Sequence, residues 1–416
     1  MQALLTALLL PLATSAQGQL FIVDDNGGAG VDFTTLQGAI DASSPGDSIL
    51  VKEGSYSVPA GPFGPSFHFV GHDLTIVAEA DANVLLESPV RVAGLDAGET
   101  VVLRGIDIDL SSFPPFSSLL NVLSVSSSEG ILWAEDCDLR GAGGVLFVDE
   151  IDSPHTVDAH FGTLVLENCR ISGGMVFDFG GLGHTLHAEN SEVYLHGTTI
   201  TPPEEFLLPG VAATFFEDSF VFASGSTFQG IDGKDAGTSI AGPTCGTDGG
   251  AGLALGGNLV GTTGYFLDCD LIGGAAGADP KCMTAQPGAD FEIFSGQAFF
   301  LDGSARRLSA PPTAVAGTQV TLSFQGEPGD LVILAAAASA TPVYLGAVAG
   351  ALLPSVPAAI ATAGTTDAGG QLLFPVPLPT LTAGVEALSL QLQAVFVGAT
   401  PVASSGSTVL VTRTAP

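Results

Sequence analysis

Along the first 300 residues, short apolar blocks alternate with glycine-rich and polar turns at a nearly fixed period. The segments VVLRGIDI (101–108), LWAEDCDL (132–139), LVLENCRI (164–171), VYLHGTTI (193–200), VFASGSTF (221–228) and GYFLDCDL (264–271) align without gaps, and their last residues lie 31, 32, 29, 28 and 43 apart. A unit this short cannot bury its own apolar face and must stack on copies of itself. Three residues before the last of each segment stand Gly105, Asp136, Asn168, Gly197, Gly225 and Asp268, residue types that tolerate left-handed backbone, so each segment is expected to be two strands joined at a tight corner. Three rows should then point inward: Leu103, Ala134, Leu166, Leu195, Ala223 and Phe266 before the corner; Ile106, Cys137, Cys169, Thr198, Ser226 and Cys269 just after it; and Ile108, Leu139, Ile171, Ile200, Phe228 and Leu271 at the end. The pattern predicts a parallel β-helix with neighbouring strands about 4.8 Å apart. A propeller needs blades of roughly 40 residues, longer than most of these spacings.

The end of the chain has a different rhythm. Alternation in TQVTLSF (318–324) and LSLQLQAVF (388–396), with a turn at DAGG (367–370), predicts a small β-sandwich over 318–416. The segment SAPPTAVAG (309–317) reads as a linker, and the β-helix is expected to occupy 20–305. The uncharged stretch 331–366 holds prolines at 342, 354 and 357, which favours buried strands over a spanning helix.

Charge supports the division. The chain has 43 acids against 10 Lys and Arg, a net charge of −33. From Arg306 onward four acids face three bases, against 39 and 7 before that point. Such an excess of negative charge excludes a nucleic-acid binder. Residues 1–16, MQALLTALLLPLATSA, read as a signal peptide, too short and proline-broken to span a bilayer. The expected location is secreted or cell-surface, with no membrane span beyond that peptide. In an oxidising compartment Cys245 and Cys282 are expected to form a disulfide, whereas the inward Cys137, Cys169 and Cys269 are expected to stay reduced.

The opening VDFTTLQGAIDASSPGDSILVKEGSYS (31–57) resembles the start of right-handed parallel β-helix proteins of the pectin-lyase-like superfamily. The resemblance covers residues 20 to about 305. It implies an all-β fold with an N-terminal capping helix, Phe33–Ala42, followed by a first strand, Ser48–Lys52. The glycine-rich CGTDGGAGLAL (245–255) with the Pro- and Ala-rich β domain after it is also similar to secreted planctomycete-type β-helix proteins of unknown activity. The QD and VDFIFG motifs of methylesterase members and the NTD and RIK elements of polygalacturonase members do not occur.

Two outward rows carry the candidate chemistry. Asp107, Asp138 and Arg170 align on neighbouring coils; they are weak catalytic candidates, able to hold calcium or to serve as acid and base, although stacked opposite charges also compensate one another structurally. Val102, Trp133, Val165, Tyr194, Phe222 and Tyr265 form an outward, largely aromatic row that could stack on sugar rings, with Arg104, Glu135, Glu167 and His196 alongside as hydrogen-bonding groups, or could be covered. His184 and His187 have ligand-like spacing, but residues three apart on a strand face opposite sides, so no metal site is expected. His155 and His160 show no ligand pattern. No cofactor is expected, with calcium left open. The expected partners are extracellular polysaccharide or cell-surface components, met by a non-catalytic surface. The alternative is a polysaccharide lyase or glycoside hydrolase acting in the outer groove.

Overall fold

A strand that must be apolar on one face and turn sharply every 30 residues has few ways to fold, and the computed structural model shows the one anticipated by the repeat. It describes residues 18–59, 68–111, 121–141, 145–146, 155–173, 176–177, 184–202, 212–233, 237–239, 242–244, 247–278, 285–355 and 358–414. Three parallel sheets of ten, eight and eight strands wrap around one core. A typical coil runs from sheet one (Thr100–Arg104) round the corner at Gly105 to sheet two (Ile106–Asp109), then to sheet three (Leu123–Ser126) and back to sheet one (Ile131–Glu135). All six anticipated corner residues have positive φ, from 53° at Asn168 and Asp268 to 67° at Gly105. The three inward rows lie in the main core, with Cys269 and Leu271 partly buried near its last coil and Thr198 and Ser226 as buried hydroxyls within the stack. Cys137, Cys169 and Cys269 are free thiols. Cys245 and Cys282, like the stretch 1–16 expected to be a signal peptide, lie outside the described residues.

A second corner, from sheet three back to sheet one, is also left-handed, at Ser127, Phe161, Asn190 and Asp218. The helix Leu36–Ala42 starts later than expected because Thr35 caps its N-terminus, its hydroxyl accepting the Gly38 N–H at 3.2 Å. Leu36, Ala39 and Ile40 are buried in the main core. The first strand of that region, Asp47–Val51, starts one residue earlier than expected.

The last hundred residues form a sandwich of a three-stranded and a five-stranded sheet plus a hairpin, Ala340–Leu345 with Gly350–Pro354. Its core joins Leu322, Phe324, Leu334, Leu390, Phe396 and Val409. The segment expected as a linker is partly structured. Thr313–Val315 pairs in parallel with Leu410–Thr412, so the five-stranded sheet takes its edge from those residues. No described helix is long and apolar enough to cross a membrane.

Candidate functional site

The outward aromatic row forms in the anticipated register: Trp133 lies between Val102 and Val165, Tyr194 between Val165 and Phe222, and Tyr265 beside Phe222. It is not an open platform. Trp133 and Phe222 are fully buried against Ala340, Ala351 and Leu353 of the sandwich. The partly buried Tyr265 stacks on Tyr344 of the same hairpin at 4.2 Å. A row this apolar is covered by the chain's own second domain, since water would otherwise wet a large contiguous patch.

The polar groups beside the row serve the same junction. Arg104 donates to the carbonyl oxygens of Ala310, at 2.6 Å, and of Thr408. Glu135 accepts from Ser407 Oγ and from the Thr408 N–H, both at 2.7 Å, and lies 3.2 Å from Arg104. Burial pushes the Glu135 carboxyl up to about 7, although Arg104 and the sandwich donors pull the other way. Glu167 is fully buried and raised well above the usual carboxylate range by desolvation. His196, 3.8 Å from it, is lowered by burial to about 3. Arg104 and Glu135 tie the two domains together, Glu167 and His196 are buried beside them without hydrogen-bond partners among the described residues, and all four are closed to a ligand in this arrangement.

Asp107, Asp138 and Arg170 do stack on sheet two, with Asp138 paired to Arg170 and its N–H on Asp107 Oδ1 at 3.1 Å. The base that meets the acids is nevertheless Arg140, 2.6 Å from Asp138 and 3.6 Å from Asp109. Asp107 is raised by burial. The arrangement is charge compensation along a face, and no acid and base converge there on a cleft among the described residues.

Sheet three presents a different surface. Its register sets Phe69, Arg91, Ser124, Asp158, His187, Phe215, Ala254 and Glu292 in one outward row. Three residues earlier in consecutive coils come Asn121, His155 and His184. Asp158 Oδ1 meets His187 Nδ1 at 3.0 Å, and Asn121 Nδ2 donates to Asp158 Oδ2 at 3.1 Å. Asn121 Oδ1 accepts the His155 N–H at 2.8 Å, and His155 Nδ1 accepts the His184 N–H at 2.9 Å. His155 and His187 stack at 4.3 Å, and His184 and Phe215 extend the stack at 5.3 Å. The expectation that His184 and His187 face opposite sides fails because His184 precedes the strand Leu186–Glu189, where alternation does not apply, and the two rings stack at 5.8 Å.

These contacts assign hydrogens. Burial, then the neighbouring imidazoles, hold His155 well below its usual range, and burial lowers His184 to about 4, so both are neutral at pH 7. A neutral His155 whose Nδ1 accepts a hydrogen bond carries its proton on Nε2 and is a donor there. Asp158 draws the His187 proton to Nδ1, leaving Nε2 as an acceptor when the ring is neutral.

His155, Asp158 and His187 bring ligand-type atoms within 4.8 Å of one another. Their rings, however, are inclined by only 21°. An ion held in the plane of both would have to lie where those planes meet, far beyond a metal–nitrogen bond of about 2 Å. The cluster is built for hydrogen bonding and stacking. Repeats in sheet one guided the sequence reading, and the strands of sheet three, bounded by long variable connections, gave no comparable alignment; the recurrence of His155, His184 and His187 before and within strands 29 residues apart was the available signal.

Fold and face together define a three-sheet parallel β-helix, covered along sheet one by its own sandwich, with His155, Asp158, His187 and Phe215 partly buried on sheet three. Among solved structures it is similar to a pectin methylesterase from Aspergillus niger, at 14% identity and a TM-score of 0.24, over 70% of this chain and 92% of that one. An overlap that low leaves function to this chain's own residues. No family model matches the chain, and no curated protein does.

Proposed function

We propose that the protein is exported and presents an acidic β-helix surface to extracellular polysaccharide or to neighbouring cell-surface components, with the outer face of sheet three as the contact surface. The observation that carries this reading is the pre-organised, partly exposed Asn121–Asp158–His187 and His155 network beside Phe215, on a sheet other than the one the sandwich covers. Neutral imidazoles, a carboxylate and an aromatic ring in one row suit the mixed apolar and hydroxyl surface of a sugar. The sandwich serves as an accessory domain that closes sheet one. Binding should be measured on a glycan array with calcium and with chelator, using the whole chain and a His187→Ala variant. Retention by the parent and loss in the variant supports the reading; equal retention would place the contact elsewhere. A second reading, a polysaccharide lyase or glycoside hydrolase, is favoured by the 3.0 Å contact of Asp158 and His187, which orients His187 as a base. Product analysis on any polymer that binds separates the two.

A further inference from the structure

We propose that His155, His187 and Phe215 form a subsite for a neutral sugar unit with adjacent hydroxyls, and that polyuronates are excluded from it; the inference rests on the polysaccharide reading above. The donor and acceptor assignments are opposite on two stacked rings. Asp158 leaves His187 Nε2 to accept, and the His184 N–H leaves His155 Nε2 to donate. The hydrogen bonds these two rings make to described residues are at Nδ1. A pair of neighbouring hydroxyls satisfies both at once, because each hydroxyl donates or accepts as required. A carboxylate satisfies only the donor and is left facing the lone pair of the other ring.

The wider face argues the same way. Around the cluster lie Asp158, Glu189, Glu217 and Glu292 in the outward rows of sheet three, where Arg91 is the one Arg or Lys among the described strands. His160 is taken by Glu189 at 3.4 Å. With a net charge of −33 on the chain, a polyanion approaches against repulsion that a neutral polymer does not feel. The apolar side of a sugar ring has a place beside the partly exposed Phe215, next to which Phe294, 72% exposed, stands edge-on at 6.5 Å.

The test is affinity electrophoresis or calorimetry of the whole chain with soluble neutral glucans, mannans and galactans, and with polygalacturonate, at low and at 0.5 M salt (about the strength that screens surface charge). A neutral polymer should bind with little salt dependence, and polygalacturonate should not bind. Phe215→Leu, which keeps apolar volume without a flat face, and His187→Ala should each weaken binding about tenfold or more. His187→Gln, which can still accept, should recover part of the loss. Unchanged fluorescence of Trp133 and an unchanged thermal midpoint show that a variant is folded. Polygalacturonate bound as tightly as the neutral polymers would overturn the inference and leave the polysaccharide reading standing. Neutral binding untouched by the variants would also overturn it. Binding of no polymer would overturn both.

Discussion

Gly406 of the sandwich stands against the indole of Trp133 on the β-helix: a β-carbon built on Gly406 would lie 2.6 Å from Trp133 Cζ2 and 2.7 Å from Leu353 Cδ1. Two residues 273 positions apart thus fix how closely the domains approach. Gly406 is needed for space, because its backbone is not in the left-handed region.

Gly406→Ala should therefore push the domains apart and cost about 1–3 kcal/mol through overpacking. Trp133 is the sole tryptophan, so its emission reports on this junction directly. A red-shifted spectrum with a lowered thermal midpoint is expected, and an unchanged spectrum would show that the junction yields without cost.

Trp133→Ala tests the same junction from the other side. The ring is fully buried among Ala340, Ala351 and Leu353, and truncating such a side chain costs about 3–5 kcal/mol. Denaturant unfolding should show a loss of that order. A near-silent variant would mean that the sandwich does not cover the row in solution.

At the coil corners the argument is one of backbone. Gly197 has φ of +59° and Asn168, its neighbour one coil back, +53°. Gly197→Val should cost about 1–3 kcal/mol in strain, since a branched side chain is disfavoured at positive φ. Gly197→Asn should cost less, as asparagine tolerates this region. Thermal midpoints of the two variants decide it; equal losses would put the penalty in contacts with Asn168 rather than in φ.

Gly105, Asp136, Asn168, Gly197, Gly225 and Asp268 made the β-helix legible, because corner chemistry and inward rows repeat in register within a few residues. The other corner was not legible. Ser127 and Phe161 adopt positive φ there without belonging to the residue types that prefer it. Nor could the aromatic row reveal its own cover: whether Trp133 meets water or Leu353 is decided by a segment more than 200 residues later. Thr313–Val315 read as linker because a three-residue edge strand has too little alternation to show itself. The cluster of His155, Asp158 and His187 was hidden because it is assembled by stacking of coils, and its members come from strands whose spacing the long connections obscure.

Glu135 makes the junction sensitive to pH, and the sign follows from its shift. Burial raises the carboxyl from 4.5 to about 7 in the folded chain, so the folded state binds the proton more tightly than the unfolded one. The contribution is fully present below about pH 4.5 and is lost as pH rises through about 7. Glu167, also raised by burial, acts in the same direction. His196, lowered from 6.5 to about 3, acts oppositely, its contribution being lost as pH falls below 6.5. A single profile therefore mixes opposing slopes, and the informative quantity is a difference. Glu135→Gln keeps the shape of the side chain and removes its proton equilibrium. The stability of the parent relative to this variant should decline between about pH 4.5 and pH 7 and level off above, read as a converging or crossing pair of thermal midpoints. Parallel profiles would show that Glu135 keeps its charge throughout, with Arg104, Ser407 and Thr408 outweighing the desolvation that the burial imposes.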